Sequence, residues 1–127
     1  YRLLGYYGDY PIYIAAGSFI SADRVTTPLG IVIGYVAHFA VGGTLGFIFY
    51  RILLMVGIEH NIQKGIVFGL TVWLFLAGML LTLGISRYVP ADESTKFMLL
   101  LDHIVFGLSL GILFPRFVFK IPASGSK

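Results

Sequence analysis

Three stretches of this chain are long and apolar enough to cross a bilayer, and no other feature restricts its fold so strongly. A helix needs about 20 mainly apolar residues to span hydrocarbon. Leu29 to Tyr50 carries no charge, is interrupted only by His38, and its apolar run continues past Arg51 to Val56. Gly65 to Ser86 is likewise uncharged. Phe97 to Phe119 holds Asp102 and His103 near its start and Arg116 near its end, with Ile104 to Phe114 uncharged and apolar but for Ser109 between them. Hydrocarbon offers no water to the backbone, so every N–H and C=O must be paired within its own segment, which favours helices over strands of this length. The pattern predicts an all-α, polytopic transmembrane helix bundle with spans at about 29–56, 64–86 and 97–119.

Composition excludes the main alternatives. The chain is 57% hydrophobic and 12% charged, against about 45–50% and about 25% in a typical soluble domain. Its nine Lys and Arg residues are scattered singly, so no basic cluster can neutralise a row of phosphates, and nucleic acid is excluded as a partner. The absence of cysteine removes disulfides, thiolate metal sites and thiol nucleophiles. No phosphate loop, dinucleotide fingerprint, HExxH or nucleophile elbow occurs, so no catalytic residue is assigned. Glu59 and His60 read as a solvated turn between the first two spans. Asp92 and Glu93 read as the start of the third, with Ser94 or Thr95 as its N-cap. Trp73, in mid-span, packs against a neighbouring helix or a ligand.

Residues 1–28 form a separate, tyrosine-rich segment. Tyr1, Tyr6, Tyr7, Tyr10 and Tyr13, with Arg2, Asp9 and Pro11, suit the headgroup level, where a ring is buried and its hydroxyl stays wet. Ile12 to Ile20 is too short to span, and is expected to lie at the interface or to re-enter. No signal-peptide pattern is present, and the chain opens with Tyr1, which leaves room for a preceding span. The bundle is expected to fill residues 29–121, with Pro122 to Lys127 as a flexible tail. Arg51, Lys64, Arg116, Lys120 and Lys127 gather on the face where the first and third spans end, against Arg2, Arg24, Arg87 and Lys96 on the other. The excess places the C-terminus in the cytoplasm.

An internal repeat is the most specific feature. His38-Phe-Ala-Val-Gly-Gly-Thr-Leu-Gly-Phe-Ile-Phe49 aligns without a gap with His103-Ile-Val-Phe-Gly-Leu-Ser-Leu-Gly-Ile-Leu-Phe114. The histidines, the glycines at Gly42/Gly107 and Gly46/Gly111, a leucine and the closing phenylalanine are identical, and Thr44 matches Ser109. With one span between them the two units run parallel. If each unit is a helix pair, the partner of the first lies in or before residues 1–20.

Small residues recur at four-residue spacing. Gly30, Gly34, Gly42 and Gly46 line the first span, Gly65 and Gly69 the second, Gly107 and Gly111 the third. Each costs roughly 1 kcal/mol of helix propensity relative to alanine in water. In lipid, such ridges let backbones approach closely, which is what holds membrane helices together. They either pack the three spans on one another or face a partner chain or a flat cofactor. On this reading bulk at Gly42 or Gly107 breaks association, whereas Gly17 tolerates it.

His38 and His103 sit within those ridges, roughly 14 Å and 9 Å below the starts of their spans and in one leaflet. Intramembrane ionisable groups face the bundle interior or a wet cavity. Three roles fit them. Neutral rings can hydrogen-bond across helices, to each other, to Thr44 or to Ser109. They can ligate a haem, a chlorophyll-type pigment or a metal beside the space the glycines leave. Asp102 with His103 can instead form a proton or ion path.

The order of a His-x3-Gly-x3-Gly span, then Lys64-Gly-Ile-Val-Phe-Gly-Leu-Thr-Val-Trp73, then a second His-x3-Gly-x3-Gly span resembles small bacterial multispan proteins of the YagU and YqhR kind, over Ala37 to Phe114. The resemblance implies a four-helix protein of the bacterial cytoplasmic membrane and carries no reaction or site residue. The expected role is therefore association with other membrane subunits or a second copy, in contact with the lipid bilayer, as an accessory or assembly subunit. A cofactor-binding anchor or a small ion-conducting subunit is the alternative.

Overall fold

The computed structural model describes residues 10–90 and 93–118. Among these the chain is all-helical. Helix α1 covers Tyr10–Gly17, α2 Pro28–Val56, α3 Asn61–Trp73, continued as a π-helical stretch over Leu74–Leu80, and α4 Glu93–Val118. Two helices, Pro28–Val56 and Glu93–Arg116, are long and apolar enough to cross a membrane.

Local signals place the ends of α2. Thr27 has extended backbone, and its hydroxyl oxygen accepts from the N–H of Gly30 at 3.1 Å while donating to the carbonyl of Arg24 at 2.7 Å. Pro28 follows at the first helical position, where its missing N–H costs nothing. At the far end Gly57 takes φ +77, and the Lys64 ammonium donates to the carbonyls of Val56 at 3.2 Å and Gly57 at 2.9 Å. Those carbonyls lie beyond the last intrahelical donor, so the lysine covers what would otherwise be orphaned acceptors. The Ile58-Glu59-His60 turn is mostly exposed, as a solvated turn requires, and His60 is left-handed at φ 54.

The second hydrophobic stretch departs from its expected 64–86. Its helix starts earlier, at Asn61, and the regular α-helical part ends at Trp73. The chain then leaves the helix at Gly84, whose φ of +66 favours glycine, after the N–H of Leu83 reaches the carbonyl of Met79 at 2.9 Å. Residues 85–90 are therefore loop and not membrane-length helix. In the third stretch the helix begins at Glu93, so Ser94 and Thr95 lie inside its first turn instead of capping it. An acidic residue is favourable there against the positive end of the helix dipole.

The helices form two antiparallel hairpins. Helix α1 packs on α2, with Gly34 against the backbone and side chain of Ile12. Helix α3 packs on α4 over a longer interface. Helix α2 meets α4 in a parallel sense: Gly46 faces Leu110 and Phe114, and Phe49 meets Phe114 edge-on at a ring separation of 6.3 Å. Phe49, Leu53 and Leu110 are the buried centre of this contact, ringed by Phe68, Phe106 and Phe114. Most large apolar side chains point outward, Met55 at 82% and Phe39 at 69% exposure among them. Monomeric water-soluble domains rarely expose large contiguous apolar patches.

The expected interfacial or re-entrant segment contains a helix docked on α2, with Ala16 fully buried. Tyr1, Tyr6 and Tyr7 and the tail from 122 to 127 lie outside the described residues. The α3–α4 loop closes on the end of α1. The Ser86 hydroxyl is within donating distance of the carbonyls of Ile14 at 2.8 Å and Tyr88 at 2.9 Å and accepts from the N–H of Tyr88 at 3.2 Å. The N–H of Arg87 donates to the carbonyl of Gly17 at 2.9 Å, and Tyr13 meets Tyr88 edge-on at 5.6 Å. The expectation that Gly17 tolerates bulk is consequently wrong. A Cβ there would lie 2.7 Å from the Ser86 oxygen and 2.8 Å from the backbone nitrogen of Tyr88. Gly17→Leu is expected to lower thermal stability in detergent by about 1–3 kcal/mol, the usual range for overpacking. A melting temperature equal to that of the unaltered protein would mean that the loop does not close on α1.

Candidate functional site

The glycine ridges divide into those consumed by the chain's own packing and those left open. On α3 and α4, Gly65 lies against the Gly107 carbonyl and Gly111, Gly69 against the His103 carbonyl and Gly107, and Gly111 against Asn61. A Cβ at any of these would meet backbone, which cannot rotate away. The four glycines are thus what brings two helical backbones together, and their spacing explains why the contact persists for several turns. Gly30 lies against the backbone of Arg24 and Val25, and Gly34 against Ile12. Gly46 is less tight, with the Phe114 ring 3.4 Å from where a Cβ would stand.

Gly42 is the exception. Expected as a packing residue, it and its neighbour Gly43 have nothing among the described residues within 4 Å of a Cβ position. Geometry supplies the reason. Among the described residues α1 reaches along α2 only to the level of Gly34, and α4 closes on α2 from Gly46 onward. The stretch between, which includes His38, is exposed together with Tyr35, Val36, Phe39 and Val41.

The two histidines behave differently. His103 is half-buried, and its Nδ1 lies 2.7 Å from the Leu99 carbonyl of its own helix. A carbonyl only accepts, so Nδ1 carries the proton and, in the neutral ring, Nε2 carries the lone pair. His38 is exposed on α2, within electrostatic reach of both His103 and Asp102. Of the positions matched in the sequence alignment, Phe49 and Phe114 are in ring contact. The hydroxyls expected as cross-helix partners turn inward to their own helices: Thr44 donates to the Ala40 carbonyl at 2.9 Å and Ser109 to that of Val105 at 2.7 Å. Among the described residues no group of three or more His, Cys, Asp or Glu could hold a metal ion. Any ligand held here would rely on the histidine pair.

Sequence reading missed Asn61, Lys64 and Ser86, each of which satisfies backbone carbonyls that helix ends or a proline leave without donors. For Asn61 the signal was Pro115, a proline inside an apolar helix with a carbonyl four residues earlier in need of a partner. Comparison of the chain with family models, curated proteins and solved structures gives no match.

Proposed function

We propose that this chain is a small multispan membrane protein that acts by association, as an accessory or assembly subunit of a larger membrane complex or of its own oligomer. The observation that carries the reading is the glycine patch at Gly42 and Gly43, which no described residue covers, set in an exposed apolar face of α2. Glycine costs helix propensity without return unless a backbone comes close. Every other ridge glycine of the two aligned segments already has a neighbour inside the chain. A partner helix seated on α2 would supply the missing one.

Three spans are part of this reading. Residues 61–80 are helical without a break, and at about 1.5 Å per residue a run of that length approaches the roughly 30 Å of the hydrocarbon core. Duplication of a helical hairpin accounts for α1 on α2 and α3 on α4. On this reading the C-terminus lies in the cytoplasm of a bacterial cell; the five-against-four cation count supports the side and the YagU and YqhR resemblance the organism class.

Gly42→Leu and Gly43→Leu test the proposal, because the space around both is open and the monomer is expected to keep its stability within about 0.5 kcal/mol. Size-exclusion chromatography with light scattering, in mild detergent, is expected to show loss of a co-purifying partner or of the oligomer. Unchanged assembly in both variants would mean that this face contacts lipid only.

A second reading is favoured by the orientation of His103, whose fixed Nδ1–H leaves Nε2 for a ligand shared with His38. Such a pair acts as a unit, so the stability lost in the double variant His38→Ala/His103→Ala should fall short of the sum of the single losses. Separated sites add within about 0.3–0.5 kcal/mol. Additive melts, together with a featureless visible spectrum of the purified protein, would dismiss it.

A further inference from the structure

A cleft of about 340 Å³, open on one side, lies between the π-helical end of α3 and the start of α4. It is lined by Trp73, Gly78, Leu81, Thr82, Val89, Lys96 and Leu99. Its volume falls in the range of small-molecule sites, about 300–1,000 Å³. π-Helical turns are rare and occur frequently at functional sites. Here the π-helical stretch Leu74–Leu80 carries Gly78, where a Cβ would meet nothing within 4 Å. Among the described residues the space is therefore left open by the backbone and is not filled from a neighbouring helix.

The chemistry of the lining is one-sided. Leu81, Val89 and Leu99 are apolar, and the Thr82 hydroxyl is committed to the Gly78 carbonyl. What remains to offer a charged ligand is the Lys96 ammonium, a donor only, so a complementary group is rich in acceptors and negatively charged. Lys96 sits in the first turn of α4, just before Phe97 begins the apolar run, which is the level at which a lysine meets headgroups. Leu99, also in the lining, is three residues deeper, roughly 4.5 Å along the helix axis. A cation at the mouth with an apolar wall below it matches the profile of an anionic amphiphile.

We propose that this cleft binds one anionic phospholipid, with Lys96 holding the phosphate and Trp73, Leu81, Val89 and Leu99 enclosing the upper part of an acyl chain. The inference rests on the membrane reading above. A single lysine near a headgroup layer corresponds to about fivefold local enrichment of an anionic lipid.

Trp73 is the only tryptophan in the chain, so its fluorescence reports on the cleft directly. The full chain is reconstituted in phosphatidylcholine vesicles that contain a minority of lipid brominated in the upper acyl chain, either phosphatidylglycerol or phosphatidylcholine at equal mole fraction. Brominated phosphatidylglycerol is expected to quench Trp73 several-fold more effectively. Lys96→Gln should remove that excess while leaving quenching by brominated phosphatidylcholine unchanged. Gly78→Leu, which fills the cleft without touching the charge, should remove it as well. Equal quenching by the two lipids, or an excess that survives both substitutions, would overturn the proposal. So would displacement of the excess by inorganic phosphate at constant ionic strength, which would assign Lys96 to a free anion. Quenching by neither brominated lipid would instead show that the chain does not lie in the bilayer, and would refute the membrane reading itself.

Discussion

Replacing Gly107 by leucine is expected to separate α3 from α4 and to cost more stability than the same change at Gly17, Gly42 or Gly43. Gly107 faces the carbonyl of Gly65 and the Cα of Gly69, so a side chain at this position meets backbone on the opposite helix. Overpacking costs about 1–3 kcal/mol where flexible side chains can move aside, and more where they cannot. With two backbones forced apart along several turns, the loss is expected at or above about 3 kcal/mol, and Gly65→Leu should match it from the other side. Thermal melts followed by circular dichroism in detergent would measure both. Gly42→Leu is the internal control, since the same change of residue at an open site leaves the monomer's melt in place. If Gly107→Leu and Gly42→Leu melt alike, α3 and α4 do not approach as closely as their glycines allow.

Asn61→Leu is expected to lose about 1–2 kcal/mol, and most of that loss should vanish when Pro115 is also replaced by alanine. In a regular helix the carbonyl of residue 111 accepts from the N–H of residue 115, which proline lacks. Pro115 lies inside α4, and the Asn61 side-chain amide donates to the Gly111 carbonyl at 2.6 Å in place of the missing donor. Removing the amide leaves an acceptor without a partner at a buried position of α4, and the cost is that of an unsatisfied carbonyl and not of one surface hydrogen bond. Alanine at position 115 restores the backbone donor. The double variant should therefore be more stable than the sum of the single effects predicts, by about 1 kcal/mol. Strict additivity in a double-mutant cycle would mean that the Asn61 amide and the Pro115 gap are unrelated.

This pair also marks the boundary of what can be read from a linear sequence. The glycines at Gly65, Gly69, Gly107 and Gly111 are legible, because a four-residue period along an apolar helix has few other uses. That Gly107 belongs to a tight backbone contact while its aligned counterpart Gly42 stands open is not legible, since the two have near-identical neighbours in the chain. The difference comes from which helix arrives alongside: α3 covers α4 along its length, whereas α1, as described from Tyr10, meets α2 only at its beginning. Gly17 misleads for the same reason. It looks like a loop-side glycine in sequence, yet the Ser86 loop, nearly seventy residues on, folds against it.

Sequence by itself determined the all-helical character, the two long apolar helices and the turn at Glu59 and His60. These follow from chain-local physics: hydrocarbon-length apolar runs must pair their own backbone groups, and turns collect where charge and glycine interrupt them. Only the tertiary structure decided which carbonyls needed donors from elsewhere, which glycines were used, and that the second apolar stretch opens into a π-helical turn beside a cleft. Those outcomes depend on approach between segments distant in sequence. Close packing converts an identical local pattern into a clash at Gly107 and into free space at Gly42, according to what lies across from it.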